Sequence, residues 1–230
     1  MGETKNLFLF FTILLVLTSF LIAYIGNSDT TSLSEWNMFH RTLNHSGYYP
    51  DSINMTNFGK LWNYSMNNWS YYSSPAISGG ILYICSYDKK LYAINISNYS
   101  KICNFSARSV IRTSPAVADG IVYFGSNDFD IYALNATTCT KIWNYTTGAQ
   151  VYSSPLIYQG IVYFGSEDYN VYALNATNGT KIWNFSTRNV VGTSSPIISN
   201  NILYIGSNDK DMYALNISNN GSKIWNYTTR

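Results

Sequence analysis

IRTSPAVADGIVYFGSNDFDIYALNATTCTKIWNYT, residues 111–146, is the stretch whose reading decides the fold. Three runs in it are rich in β-branched and aromatic residues: Ile121-Val122-Tyr123-Phe124, Ile131-Tyr132-Ala133-Leu134 and Lys141-Ile142-Trp143-Asn144-Tyr145. Gly, Asn, Asp and Ser separate them, which is the pattern of short strands joined by tight turns. A fourth, shorter strand is expected around Ser-Pro-Ala-Val, beginning at Pro115, where a missing N–H is least harmful. No part of the stretch has the 3.6-residue apolar spacing of an amphipathic helix. Asp128 falls in the turn between the second and third strands and reads as turn chemistry, its carboxylate capping local backbone.

Outward from this unit the same text recurs from Tyr71, Val151 and Val191, with Pro75, Pro115, Pro155 and Pro196 spaced 40, 40 and 41 residues apart. A period near 40 belongs to propeller blades or to HEAT-type helical repeats, and the strand content selects the propeller. The expected fold class is all-β, a propeller of four-stranded antiparallel blades at 71–110, 111–150, 151–190 and 191–230, with a partial lead-in blade at 36–70. Asp88, Asp168 and Asp209 occupy the turn position of Asp128. Tyr83, Tyr123, Tyr163 and Tyr204 recur in the second strand and Tyr92, Tyr132, Tyr172 and Tyr213 in the third, so core packing absorbs much of the tyrosine.

Composition narrows the function classes. The chain has 230 residues, 14 Lys+Arg against 12 Asp+Glu and only 11% charged residues, which excludes electrostatic capture of nucleic acid. Hydrophobic residues at 46% and aromatics at 17% exclude disorder. Residues 7–25 carry no charge; as a helix rising about 1.5 Å per residue they reach across a hydrocarbon layer of about 30 Å. Segment 1–26 is therefore expected to be an uncleaved membrane anchor, with a signal peptide as the alternative, 27–35 a linker, and 36–230 a propeller on the far side of a membrane. Asn-x-Ser/Thr occurs 15 times where random placement gives roughly 5 to 6. Asn135, Asn144, Asn175, Asn184, Asn216 and Asn226 are candidate N-glycosylation sites, which points to a cell surface or a secretory lumen; copying of Asn-rich turns between repeats is the competing explanation.

Ala173-Leu174-Asn175-Ala176-Thr177-Asn178-Gly179-Thr180-Lys181-Ile182-Trp183 resembles the tryptophan-docking motif of the pyrroloquinoline-quinone (PQQ) repeat family, A-x-D-x-x-T-G-x-x-x-W. Trp36-Asn37-Met38-Phe39-His40, Asn44-His45-Ser46-Gly47 and Leu61-Trp62-Asn63-Tyr64 are similar to the lead-in of PQQ-like propellers. The resemblance covers residues 36–230 and implies a non-enzymatic branch of the quinoprotein-dehydrogenase-like superfamily. It implies docking roles for Trp62, Trp143, Trp183 and Trp225, with Gly179 and Gly221 as glycines that indoles cover between blades. The family Asp is Asn at 95, 135, 175 and 216. In the first full blade the Trp slot holds Cys103, and in the second the Gly slot holds Cys139. Adjacent blades bring these slots close, so a Cys103–Cys139 disulfide with Cys85 as a buried thiol is expected; three unpaired buried thiols are the alternative. Four full units and a partial one leave blade faces uncovered. The expectation is an incomplete ring, completed by further chain or by self-association through the open faces, with a small strained closed ring as the remaining alternative.

Chemistry is thinly supplied. Glutamates occur only at 3, 35 and 167, the aspartates sit mostly at repeated turns, and His40 and His45 lack a zinc-ligand pattern. Quinoprotein dehydrogenases carry a catalytic Asp, a calcium site and cofactor-clasping residues in long insertions, for which repeats of this length leave no room. No catalytic residue, cofactor or metal is expected. The reading is a membrane-anchored surface or lumenal propeller that binds a protein or cell-envelope partner as a scaffold. The alternatives are a ligand-sensing ectodomain, which needs non-repeated polar residues at equivalent loop positions, and a PQQ-dependent dehydrogenase-like enzyme.

Overall fold

The computed structural model of the protein describes residues 62–229. The expected anchor, the linker, Trp36, His40 and His45 lie outside the described residues. Within them sixteen strands form four antiparallel meanders. The first blade is β1 (Ala76–Ser78), β2 (Ile81–Cys85), β3 (Lys90–Asn95) and β4 (Lys101–Ser106). The second is β5 (Ala116–Ala118), β6 (Ile121–Gly125), β7 (Asp130–Asn135) and β8 (Lys141–Thr146). The third is β9 (Leu156–Tyr158), β10 (Ile161–Gly165), β11 (Asn170–Asn175) and β12 (Lys181–Ser186). The fourth is β13 (Ile197–Ser199), β14 (Ile202–Gly206), β15 (Asp211–Asn216) and β16 (Ser222–Thr228).

Sequence pattern explains the local geometry. The first two strands of each blade meet in a two-residue turn with both residues at positive φ, as at Asp119 and Gly120 (50° and 73°), which matches the twist of a hairpin. A β-bulge recurs between the third and fourth strands, between Ala133 and Leu134 in the second blade. The innermost strands start one residue after the proline rather than at it. The reason is lateral: Ser74 N–H donates to Ser114 Oγ (2.9 Å), Ser114 N–H to Ser154 Oγ (2.9 Å) and Ser154 N–H to Ser195 Oγ (3.1 Å). Backbone just ahead of Pro75, Pro115 and Pro155 is thus bonded to the next blade and not to its own sheet. The fourth blade has one extra residue between Asn216 and its tryptophan, taken up by a 3-10 turn at Ile217–Asn219.

The third strands of the second and third blades are buried on both faces because each of these sheets lies between two others. Tyr83, Tyr123 and Tyr163 are fully buried, whereas Tyr204 of the fourth blade is half-buried. That blade leaves one face open, with Trp225 41% and Tyr227 67% exposed.

Candidate functional site

Contacts between blades use most of the repeated polar groups. Trp143 Nε1 donates to the Ala176 carbonyl at 2.9 Å, and Tyr123 Oη donates to the same oxygen at 3.1 Å, filling both of its lone pairs. The indole lies so close over Gly179 that a Cβ there would stand 2.6 Å from Trp143 Cε3. Trp183 sits over Gly221 likewise, with 2.5 Å to its Cε3. Trp62 stacks on Tyr99, which occupies the glycine slot of the first blade, with centroids 5.0 Å apart. Trp225 has no such partner among the described residues. Between the first two blades, where no tryptophan is available, Cys103 and Cys139 are disulfide-bonded with Cα atoms 5.9 Å apart. Cys85 is buried and free, and burial pushes its thiol pKa well up.

The turn aspartates do more than cap their own loops, which the sequence did not reveal. Asp128 Oδ2 accepts from Tyr132 Oη (2.9 Å) and from the Arg108 N–H of the preceding blade (2.8 Å), while Oδ1 accepts from the Asp130 N–H (3.2 Å). Asp168 holds Tyr172 and the Gly148 N–H in the same way, at 2.6 and 2.7 Å. Asp209 holds Tyr213 and the Arg188 N–H, at 2.6 and 2.9 Å. Desolvation and then the Asp209 carboxylate push the Tyr213 phenol up to about 12. A second aspartate sits beside two of these corners: Arg108 pairs with Asp130 at 2.6 Å and Arg188 with Asp211. The Thr228 hydroxyl, and then Arg188, hold the Asp211 carboxyl below its ordinary value.

Candidate glycosylation residues fall into two settings. Asn144, Asn184 and Asn226 are exposed on the outermost strands, on the face opposite the tryptophans. Asn135, Asn175 and Asn216 turn Oδ1 inward to accept from Thr137, Thr177 and Ser218 N–H at 2.9–3.0 Å. There they perform the turn-capping work of the family Asp.

Residues at two positions that vary between the repeats gather elsewhere. Tyr72, Arg112, Tyr152 and Gly192 hold one position in the loops leading into the innermost strands, and Tyr87, Asn127, Glu167 and Asn208 hold the position after the conserved serine of each second strand. Backbone bonds pin the two sets together: Tyr87 N–H to Trp69 O, Asn127 to Val110, Glu167 to Gln150 and Asn208 to Val190, at 2.8–3.0 Å. The Arg112 guanidinium carbon is 5.6, 5.3 and 5.1 Å from the ring centres of Tyr72, Tyr87 and Tyr152. Asn127 Nδ2 donates to Tyr152 Oη at 3.4 Å. A Cβ at Gly192 would lie 3.5 Å from both Glu167 Oε1 and Asn208 Oδ1. Burial raises the Glu167 pKa. Among the described residues three buried polar atoms lack a partner, Arg112 Nε, Asn127 Oδ1 and Ser153 Oγ, and all belong to this cluster or adjoin it in the chain.

The sequence pattern of the family described as outer membrane protein assembly factor BamB matches residues 54–148 and 104–230, two overlapping stretches that cover all four blades. The chain belongs to this PQQ-like propeller family. No curated protein matches it in sequence. Among solved structures it is similar to BamB from Moraxella catarrhalis, with 18% identity and a TM-score of 0.64 over 72% of this chain and 55% of that one. It is also similar to the computationally designed Ika8 protein, at 18% identity and TM-score 0.58 over 66% and 48%. Quinohemoprotein alcohol dehydrogenase from Comamonas testosteroni matches at 15% identity and TM-score 0.71 over 84% and 41%. The chain thus spans about half the length of the structures it resembles, and these likenesses concern the fold alone.

The PQQ repeat raises the question of a quinone with its metal ion. The described residues do not fit one: among them no three of His, Cys, Asp and Glu lie close enough to hold a metal ion. The innermost strands follow from the outermost through short loops, without the insertions that clasp such a cofactor. Nor is any helix of the described residues long and apolar enough to cross a membrane.

Proposed function

We propose that the chain is the propeller module of a membrane-anchored protein, held outside the cytoplasm through residues 7–25, that acts as a non-catalytic protein-interaction scaffold of the cell envelope or a lumen. One observation carries this reading. Most of the repeated buried polar residues serve blade docking or turn capping, while the Tyr, Arg, Asn and Glu side chains at positions that vary between repeats converge on one loop edge, where a partner is recognised. Membership of a family described as an assembly factor supports a protein partner. The same convergence favours, as a second reading, an ectodomain that senses a small ligand at that edge. The test is site-specific photo-crosslinking in native membranes, with the photoreactive residue at Tyr72 on the loop edge or at Lys181 on an outermost strand. A discrete protein adduct from position 72 alone is expected; no adduct from either position would remove the scaffold reading.

A further inference from the structure

Arg112 differs from the other described arginines. Arg108 and Arg188 each lie against two aspartates. Arg112 has five N–H donors, yet among the described residues it meets only tyrosine rings, and its Nε is buried without a partner. Cation–π contact offsets part of the charge but satisfies no directional N–H. Two steps away through Tyr152, the buried Asn127 Oδ1 has no donor among the described residues. Buried polar groups left bare are unfavourable, so the pair calls for one occupant that offers an acceptor to Arg112 and a donor to Asn127.

An acidic residue in a peptide carries both. Its carboxylate matches the planar fork of a guanidinium, and its backbone N–H is a donor a few ångströms away. The surroundings fit a protein rather than an enclosed small molecule. Trp69, whose carbonyl anchors Tyr87, is 76% exposed, and Tyr71 and Tyr72, packed edge to face, are 81% and 49% exposed. Trp, Tyr and Arg are the residue types that dominate protein-binding hot spots.

We propose that Arg112, Asn127 and Tyr152, bordered by Tyr72 and Tyr87, form the docking point for an acidic segment of a protein partner. Arg112 Nε and Asn127 Oδ1 are closed to solvent in the free chain, so the segment displaces the Tyr152 ring as its carboxylate takes the Arg112 fork and a neighbouring backbone N–H reaches Asn127 Oδ1. This deepens the scaffold reading and rests on it.

The full chain is titrated with a fluorescein-labelled hexaglutamate peptide, followed by anisotropy, with hexaglutamine and hexagalacturonate as comparison probes. Saturable hexaglutamate binding is expected, weakened about tenfold or more in hexaglutamine and in both Arg112→Met and Arg112→Lys, the latter keeping the charge but losing the fork. If Arg112→Met does not fold, judged by circular dichroism, Arg112→Lys and Asn127→Ala carry the comparison. Absence of hexaglutamate binding, equal binding by the variants, or tighter binding of hexagalacturonate overturns the proposal. In native membranes, a photo-crosslinked adduct that persists unchanged in Arg112→Lys would overturn this docking point yet leave the scaffold reading standing. Absence of any adduct in the unsubstituted chain would remove the scaffold reading itself.

Discussion

Replacing Gly179 by alanine should destabilise the chain through two separable effects. Its φ of +72° places an alanine in the left-handed region, at a cost of about 1–2 kcal/mol. Its new Cβ would also stand 2.6 and 2.7 Å from Trp143 Cε3 and Cδ2, and overpacking of a rigid indole adds about 1–3 kcal/mol. Gly160→Ala isolates the first effect, because Gly160 has φ +71° and nothing within 4 Å of the added carbon. Urea unfolding of the full chain in detergent, followed by tryptophan fluorescence, should place Gly179→Ala about 1–3 kcal/mol below Gly160→Ala. The excess should vanish in a Trp143→Ala background. Equal losses for the two glycines, or an excess that survives without Trp143, would refute the indole-over-glycine account of blade docking.

Trp143→Ala should itself remove about 3–5 kcal/mol, whereas Trp225→Ala, at a side chain 41% exposed, should remove far less in the same urea assay. Cys103→Ser with Cys139→Ser opens a cross-link of 36 residues' separation and should lower stability by about 4 kcal/mol; alkylation of the unreduced, unfolded chain should label Cys85 alone. Asp211 has a depressed folded-state pKa, so its contribution is present above the unfolded carboxyl value and is lost as pH falls through the folded one. Acid titration of stability should therefore steepen below about pH 4, and less so in Arg188→Met. Glycopeptide mass spectrometry should find glycans on Asn144, Asn184 and Asn226; all three unmodified would reduce the sequon excess to repeat copying.

The blades were legible because their information is local and written four times. Turn residues, strand period and the Trp-to-Gly spacing all lie within one repeat, and the motif slots of neighbouring copies are the ones that meet, at Trp143 with Gly179 and Cys103 with Cys139. The aspartate corners were legible only in half. Asp128 looks like a turn residue in isolation, and its second ligand is the Arg108 N–H of another blade, a group with no side-chain signature. The Arg112 cluster was less legible still, since its members belong to three repeats and sit at two positions that vary from copy to copy. Stacking the four copies and reading down positions 72, 112, 152, 192 and 87, 127, 167, 208 carries the signal, because positions that vary in a copied unit are those the scaffold does not need.

The proposed scaffold role has this PQQ-like propeller holding a protein rather than carrying out redox chemistry. Its most direct test is to purify the chain from native membranes after mild cross-linking and analyse what comes with it. The account predicts a stoichiometric protein partner lost on substitution of Arg112, no quinone absorbance and no dye-linked alcohol oxidation. A chain that arrives without a protein partner, carries a quinone and reduces dye with an alcohol would contradict it.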